Sequence, residues 1–354
     1  MNSSQLRVLV VGCGHMGASH ALAYDKHPGF EIVGLVSRGS SKNKLNSLLA
    51  NQVPLYDDFY QALTQSKCQV VCISTYPDTH ETYALAALEA GCHVFLEKPM
   101  AITTQGAERI QSSAEKNQKK LVVGYILRHH PVWQRFVVEA HNLGKPLVMR
   151  MNLNQQSHGN EWAVHKKLME SLSPIVDCGV HYLDIMCQMT QAKPVAVSAI
   201  GVRLTPEIDQ AQYNYGQLQI RFDDGSVGWY EAGWGPMMSE TAFFVKDVIG
   251  PSGSVSLVQD TQKSDDVAGH TKSDVLLKHH AGLDDKGHWK HQDHRTIWEQ
   301  TPDHQGLCDL EQEYFYQAIV HDQDLSQHVL EAVDSLKIAL ACDEAVKTGQ
   351  TIFL

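Results

Sequence analysis

Nothing in this chain approaches the run of about 18 uncharged apolar residues that a membrane-spanning helix needs. Its start, Met1-Asn2-Ser3-Ser4-Gln5, has neither the charged nor the apolar region of a secretory signal. These absences predict a cytoplasmic protein with no membrane association. Basic clusters are also missing: no Lys/Arg run exceeds a pair, and 29 basic residues stand against 40 acidic ones, a net charge of −11. Binding to a phosphate backbone relies on clustered positive charge, so a small molecule is the expected partner rather than nucleic acid. The eight cysteines (13, 68, 72, 92, 178, 187, 308 and 342) never form Cys-x-x-Cys, which removes zinc-ribbon and redox motifs and leaves reduced packing residues. There is no internal repeat and no low-complexity tract.

What is present suffices for two ordinary cores, since 354 residues are 43% hydrophobic. The first third alternates short apolar runs with helical periodicity, the pattern of a parallel sheet covered on both faces. Strands are predicted at Leu6 to Val11, Glu31 to Ser37, Gln69 to Thr75, His93 to Leu96 and Leu121 to Tyr125. Helices are predicted at His15 to Lys26, Ser41 to Asn51, Asp57 to Thr64, Thr79 to Ala90 and Thr103 to Asn117. Beyond residue 125, after two helical segments, hairpin signals appear. Leu147 to Gln155, Val195 to Leu204, Gly216 to Phe222, Ser226 to Ala232 and Phe243 to Ile249 read as an antiparallel sheet, and Asp309 to Lys347 as helices broken near Asp322 to Ser326. The expected division is therefore a doubly wound dinucleotide-binding domain, residues 1–125, and an α/β domain for substrate and oligomerisation, residues 126–354.

Three motifs carry chemistry. Gly12-Cys13-Gly14-His15-Met16-Gly17 follows the first strand and opens a helix, as a dinucleotide fingerprint requires. Gly12 permits the turn, Gly14 admits the pyrophosphate, Gly17 lets helix and strand pack, and the helix N-terminus offers free N–H groups. After the second strand, Ser37-Arg38-Gly39-Ser40-Ser41-Lys42 lacks the acid that usually meets the ribose hydroxyls of NAD and places cations there instead. The cofactor is thus NADP or NAD, with NADP favoured. Glu97-Lys98-Pro99 ends a strand whose carboxyl end should face the same crevice, where a lysine can hydrogen-bond a substrate oxygen as hydride leaves. Asp177 and His181, four residues apart on a predicted helix, share one face, and Asp184 follows a turn later. Taken alone that pair also fits a surface ion pair.

Together these motifs resemble the Gfo/Idh/MocA family of glucose-fructose oxidoreductase and inositol 2-dehydrogenase. The likeness extends to Ser74-Thr75-Tyr76-Pro77-Asp78-Thr79-His80, to the run from Ala86 to Pro99, to Asp-x-Gly-x-His-x-x-Asp at 177–184, and to Thr348-Gly349-Gln350. The resemblance implies a Rossmann domain and a second domain with a large open sheet, often the contact of a homodimer or homotetramer. It implies Lys98 as catalytic lysine, Asp177 and His181 as the substrate-binding and proton-transfer pair, and a cis Lys98–Pro99 bond. It places Glu97 near the nicotinamide ribose, with Ser74, Thr75 and His80 at the cofactor. Arg128 falls near the substrate, and Trp162, His165 and Tyr182 are further candidates or else packing. Leu172-Ser173-Pro174-Ile175-Val176 departs from the family's glycine-rich stretch, with Ser173 as helix cap and Pro174 at the first helical position.

The implied activity is hydride transfer between nicotinamide and a secondary alcohol or ketone of a sugar or cyclitol. The alternative is a glycosidase that uses tightly held NAD transiently. A histidine-rich segment (His279, His280, His288, His291, His294) matches no closed zinc spacing, so it is expected to be a polar loop or strand edge, and no metal is predicted.

Overall fold

The computed structural model describes residues 5–239, 245–258 and 274–354. The chain forms two compact units, residues 1–126 with 302–333, and residues 127–301 with 334–354. This differs from the division expected above, because residues 302–333 belong with the first unit. The cause is the apolar face of helix α9 (His304–Val320), whose Phe315 and Ala318 join Val8, Val10, Tyr24 and Phe30 in one buried cluster.

The first unit contains β1 (Leu6–Val11), α1 (His15–Lys26), β2 (Phe30–Val36), α2 (Ser41–Asn46), β3 (Leu55–Tyr56), α3 (Phe59–Ser66), β4 (Val70–Ile73), α4 (His80–Glu89), β5 (His93–Leu96), α5 (Thr104–Lys116) and β6 (Leu121–Val123). The strands are all parallel, in the order β3-β2-β1-β4-β5-β6. Strand order reverses direction at β1 and β4, the position where such sheets hold a ligand at their carboxyl ends. Both faces are covered, so β4 (Val-Val-Cys-Ile) and β6 are buried along their whole length. Helix ends follow local chemistry. Asp58, Thr103 and Asp303 cap α3, α5 and α9 by accepting from Gln61, Gly106 and Gly306 N–H, and α4 stops at Gly91, whose φ is +81°. The short β3 was not anticipated, and α2 ends five residues before the predicted limit.

The second unit carries α6 (Pro131–His141), β7 (Val148–Gln155), α7 (Gly159–Leu168), α8 (Val180–Thr190), β8 (Pro194–Val202), β9 (Tyr215–Phe222), β10 (Val227–Trp234), β11 (Lys246–Gly250), β12 (Gly253–Val258), β13 (Val275–His280), β14 (His294–Ile297) and β15 (Ile352–Phe353). Helix α10 spans Ser326–Thr348. These strands form a nine-stranded sheet, β14-β13-β12-β11-β7-β10-β9-β8-β15, antiparallel except for β7 with β10. Strand β9 alternates buried and exposed positions, the signature of a sheet with one covered face. Asp223-Asp224-Gly225 and Pro251-Ser252 make the turns of two hairpins. Part of the predicted strand Phe243 to Ile249, its residues 243 and 244, lies outside the described residues.

Candidate active site

The glycine turn is shaped by backbone contact. A Cβ on Gly12, at φ +92°, would lie 2.2 Å from the Ser74 carbonyl oxygen, and one on Gly17 would lie 1.9 Å from the Gly12 carbonyl. The turn after β1 and the end of β4 therefore touch through backbone alone. A Cβ on Gly14 would meet nothing within 4 Å, and no side chain caps the start of α1 there. Those features suit a pyrophosphate. His15 and Met16 open α1, with the His15 ring 5.6 Å from His304.

After β2 the two cations differ. Lys42 is buried and donates to the Ser37 and Gly39 carbonyls and to Asp57, whereas Arg38 is exposed. The Lys42 charge is thus matched within the loop, and Arg38 stands in the open. Ser37 Oγ lies 3.0 Å from Ser41 Oγ. At the end of β4, Thr75 Oγ1 contacts Thr79 Oγ1 at 2.7 Å. His80 is fully buried with ring nitrogens 2.8 Å from the Pro99 carbonyl and 3.1 Å from the Thr75 carbonyl. Burial holds its pKa below the usual histidine value despite those carbonyls, so it braces the turn that carries Lys98.

Lys98, half-buried, follows β5 on the same edge of the sheet, and the Lys98–Pro99 bond is cis as the resemblance implied. Glu97 is buried. Its Oε1 lies 2.7 Å from His20 Nε2, and its Oε2 accepts from Lys98 N–H at 3.1 Å. Burial alone would raise its pKa, but His20, the Lys98 ammonium and that N–H hold it below the ordinary carboxylate range. His20 had no sequence signal beyond its place on α1.

In the second unit Asp177 does not sit in a regular α-helix. Ile175–Gly179 form a single π-helical turn that runs into α8, and Ser173 accepts from Val176 N–H at 3.1 Å. The expected Ser173 cap and Pro174 start are present, but a wider turn separates Asp177 from His181 than the four-residue spacing assumed. Single π turns recur at functional sites, where the extra residue re-aims a side chain. Gly179 packs closely there, since a Cβ on it would lie 2.9 Å from the Tyr230 ring. Asp177 and His181 are both half-buried.

The other candidates divide. His165 is bonded to Ser157 Oγ at 2.9 Å and stacks on Trp234 at 4.3 Å, while Trp234 Nε1 donates to Gln155 at 2.7 Å. Cys178 Sγ also contacts Gln155, so Trp234 and the π turn share one partner. Trp162 packs in the apolar cluster of Met169, Cys178 and Trp234. Tyr182 stacks on Tyr230 at 5.1 Å. Arg128 makes a two-pronged ion pair with buried Asp184, 2.8 Å from Nε, which Gln188 also bonds. The guanidinium is thus spent on α8. Lys246 was missed: it is buried over the Tyr182 ring, donates to Asn152, and burial pushes its pKa down to about 7 against the pull of Glu231. Glu231 accepts from Asn154 at 2.6 Å and Tyr215 at 3.1 Å. A lone lysine opening a strand gave no warning of either.

The histidine-rich segment is partly strand. His279 and His280 end β13 and His294 begins β14, with His279 2.7 Å from Asp293 and the His280 and His291 rings 5.4 Å apart. Among the described residues no helix is long and apolar enough to cross a membrane.

Comparison with known proteins bears on these groups. The profile of the Gfo/Idh/MocA oxidoreductase family with an NAD-binding Rossmann fold matches residues 6–125, and that of the GFO/IDH/MocA C-terminal domain matches residues 135–255. Inositol 2-dehydrogenase of Klebsiella pneumoniae subsp. pneumoniae is 27% identical over 186 residues, 51% of this chain and 53% of that protein. D-glucoside 3-dehydrogenase of Escherichia coli is 29% identical over 188 residues, 52% of this chain and 54% of that protein. The chain thus spans about half the length of the curated relatives it matches. The crystal structure of apo scyllo-inositol dehydrogenase from Lactobacillus casei superposes with a TM-score of 0.78 at 19% identity, covering 100% of this chain and 99% of that one, a likeness of fold.

Proposed function

Because the chain belongs to the Gfo/Idh/MocA family of NAD-binding oxidoreductases, we propose that it reversibly oxidises a secondary alcohol of a sugar or cyclitol. The observation that carries this reading is Lys98 at the carboxyl end of β5. That strand neighbours β4, whose end touches the glycine turn. When bound, the nicotinamide supplies the hydride acceptor at its C4. Lys98 hydrogen-bonds the reacting oxygen and favours its alkoxide character. His181, oriented by Asp177, takes the hydroxyl proton as the carbon loses hydride, and returns it in the reverse direction. Glu97 steadies the ribose side of the cofactor. Gly12, Gly14 and Gly17 receive its pyrophosphate, with NADP preferred to NAD through Arg38. We further propose a homodimer or homotetramer joined through Val148, Val227 and Ile249, which are exposed and adjacent in register.

The test is turnover of myo-inositol, glucose and methyl glucosides by wild type, Lys98→Met and His181→Ala. Loss of a donor to the reacting oxygen typically costs about 100- to 1,000-fold, and loss of a general base about 100- to 10,000-fold. NADH affinity, read by fluorescence titration, should stay within about threefold in both variants. Near-normal turnover in Lys98→Met removes that lysine from the mechanism, and loss of NADH binding in His181→Ala removes the proton-transfer role.

A further inference from the structure

Behind Glu97 the first unit buries polar groups that the mechanism leaves unused. The His20 ring is fully buried, with Nε2 2.7 Å from Glu97 Oε1 and Nδ1 3.0 Å from Gln312 Nε2. With the Gln312 amide nitrogen turned to it, Nδ1 accepts, and an Nε2 proton is aimed at Glu97. Glu311, the preceding residue on α9, is 1% exposed, and neither carboxylate oxygen has a hydrogen-bond partner among the described residues. An unpartnered buried carboxylate is stable only when protonated. Burial, and then the Glu97 charge, push its pKa well above the usual range. Tyr24 of α1, Cys72 of β4 and Cys308 of α9 face the same core, and burial raises each of them as well. His20, Cys308 and Glu311 place donor atoms within 4.8 Å of one another, as a cation site would. Both His20 nitrogens are already engaged, however, which leaves the ring no lone pair for a metal.

We propose that His20 is a positioning residue for the hydride-transfer site: seated by Gln312, it holds the Glu97 carboxylate in one orientation beside Lys98, in a core that accommodates one negative charge. The proposal rests on the function given above for Lys98. It makes Glu311 the acid that keeps its proton so that Glu97 can lose its own.

The experiment compares His20→Leu, His20→Gln and Glu311→Gln with wild type. The acid limb of the pH profile is read in NADH affinity and in kcat with myo-inositol. A hydrogen bond to a charged group is typically worth about 10- to 100-fold, so His20→Leu should lower kcat by that much and shift the acid limb upward. His20→Gln, which keeps an N–H donor, should recover most of both. Glu311→Gln should keep wild-type kcat. Because wild-type Glu311 holds a proton that the unfolded chain releases above its ordinary pKa, its contribution to wild-type stability falls as pH rises from about 5 to 8, and the advantage of Glu311→Gln in denaturant midpoint should widen over that interval. Histidine ¹⁵N spectra should show His20 as the neutral Nε2–H tautomer. Equal losses in the Leu and Gln variants with an unmoved acid limb, an imidazolium signal, or a Glu311→Gln advantage that does not grow with pH would overturn the proposal. Failure of the underlying reading is separable, since it appears as wild type or Lys98→Met behaving wrongly with myo-inositol while the tautomer and the Glu311 stability trend stand.

Discussion

The two sheets solve the same problem of presenting chemistry at an edge by opposite means. In the first unit the strands are buried on both faces, and apart from Glu97, which His20 also holds, the candidate groups sit beyond strand ends and are aimed by backbone: the Gly12 and Gly17 approaches, the Glu97–Lys98 N–H contact, the carbonyls around His80. In the second unit one sheet face is covered and one is open. Its candidate groups are aimed by side chains packed on side chains: His165 on Trp234, Gly179 under Tyr230, Arg128 on Asp184. Backbone-aimed sites leave fixed residue types at fixed spacings, whereas side-chain-aimed sites depend on partners far apart in the chain.

The largest effect that sharpens this contrast is expected at Asp184. Its carboxylate is 1% exposed and holds Arg128, whose side chain is 11% exposed. Removing one partner of a buried pair typically costs about 3–5 kcal/mol, because the other charge stays behind in a poor medium. Asp184→Asn should lower stability by that order in denaturant titration, with NADH binding retained below the transition. A loss below about 1 kcal/mol would mean that Arg128 is not held as the geometry indicates, and would restore it as a substrate residue.

Next come paired glycine substitutions that compare a backbone wall with a side-chain wall. Gly12→Ala meets the Ser74 carbonyl and takes a left-handed φ, a combination that should cost about 3 kcal/mol and abolish NADH binding. Gly179→Ala meets the Tyr230 ring edge, which can shift, so about 1–2 kcal/mol is expected, with NADH binding intact and turnover reduced. Gly39→Ala, with nothing within 4 Å, serves as the silent control. Equal penalties at positions 12 and 179 would erase the distinction between the two kinds of site.

Most of the first unit was legible for the reason that distinguishes it. Continuous apolar runs, Gly91 as a stop and the glycine turn are local signals, and local signals set the parallel strands and their ends. Ser173 and Pro174 were readable as a helix start in the same way. The π turn over Ile175–Gly179 was not, because no local residue pattern marks a wider turn, and the ring that crowds Gly179, Tyr230, lies on a strand some fifty residues later. Packing of α9 on the first unit was invisible for the same reason: periodicity shows that a helix has an apolar face, not which core receives it. His20 and Glu311 were missed since a lone histidine and a lone glutamate on helices look like surface residues until burial is known.

The smallest expected effect concerns the one place where the first unit relies on a side chain in the open. Two cations follow β2, but Lys42 is bound to Asp57 and two carbonyls, so its charge contributes little beyond that loop. Arg38 is exposed and flanked by Gly39. An exposed charge-assisted contact to a 2′-phosphate is screened by salt, and about 1 kcal/mol, roughly fivefold in affinity, is the reasonable scale. Arg38→Ala should therefore weaken NADPH about fivefold, leave NADH unchanged, and lose its effect as salt is raised. Lys42→Ala should instead act on both nucleotides alike, through disorder of the Ser37–Ser41 turn. If Arg38→Ala leaves the NADPH to NADH ratio untouched, the basic loop after β2 is only a solvated turn, and the cofactor is NAD.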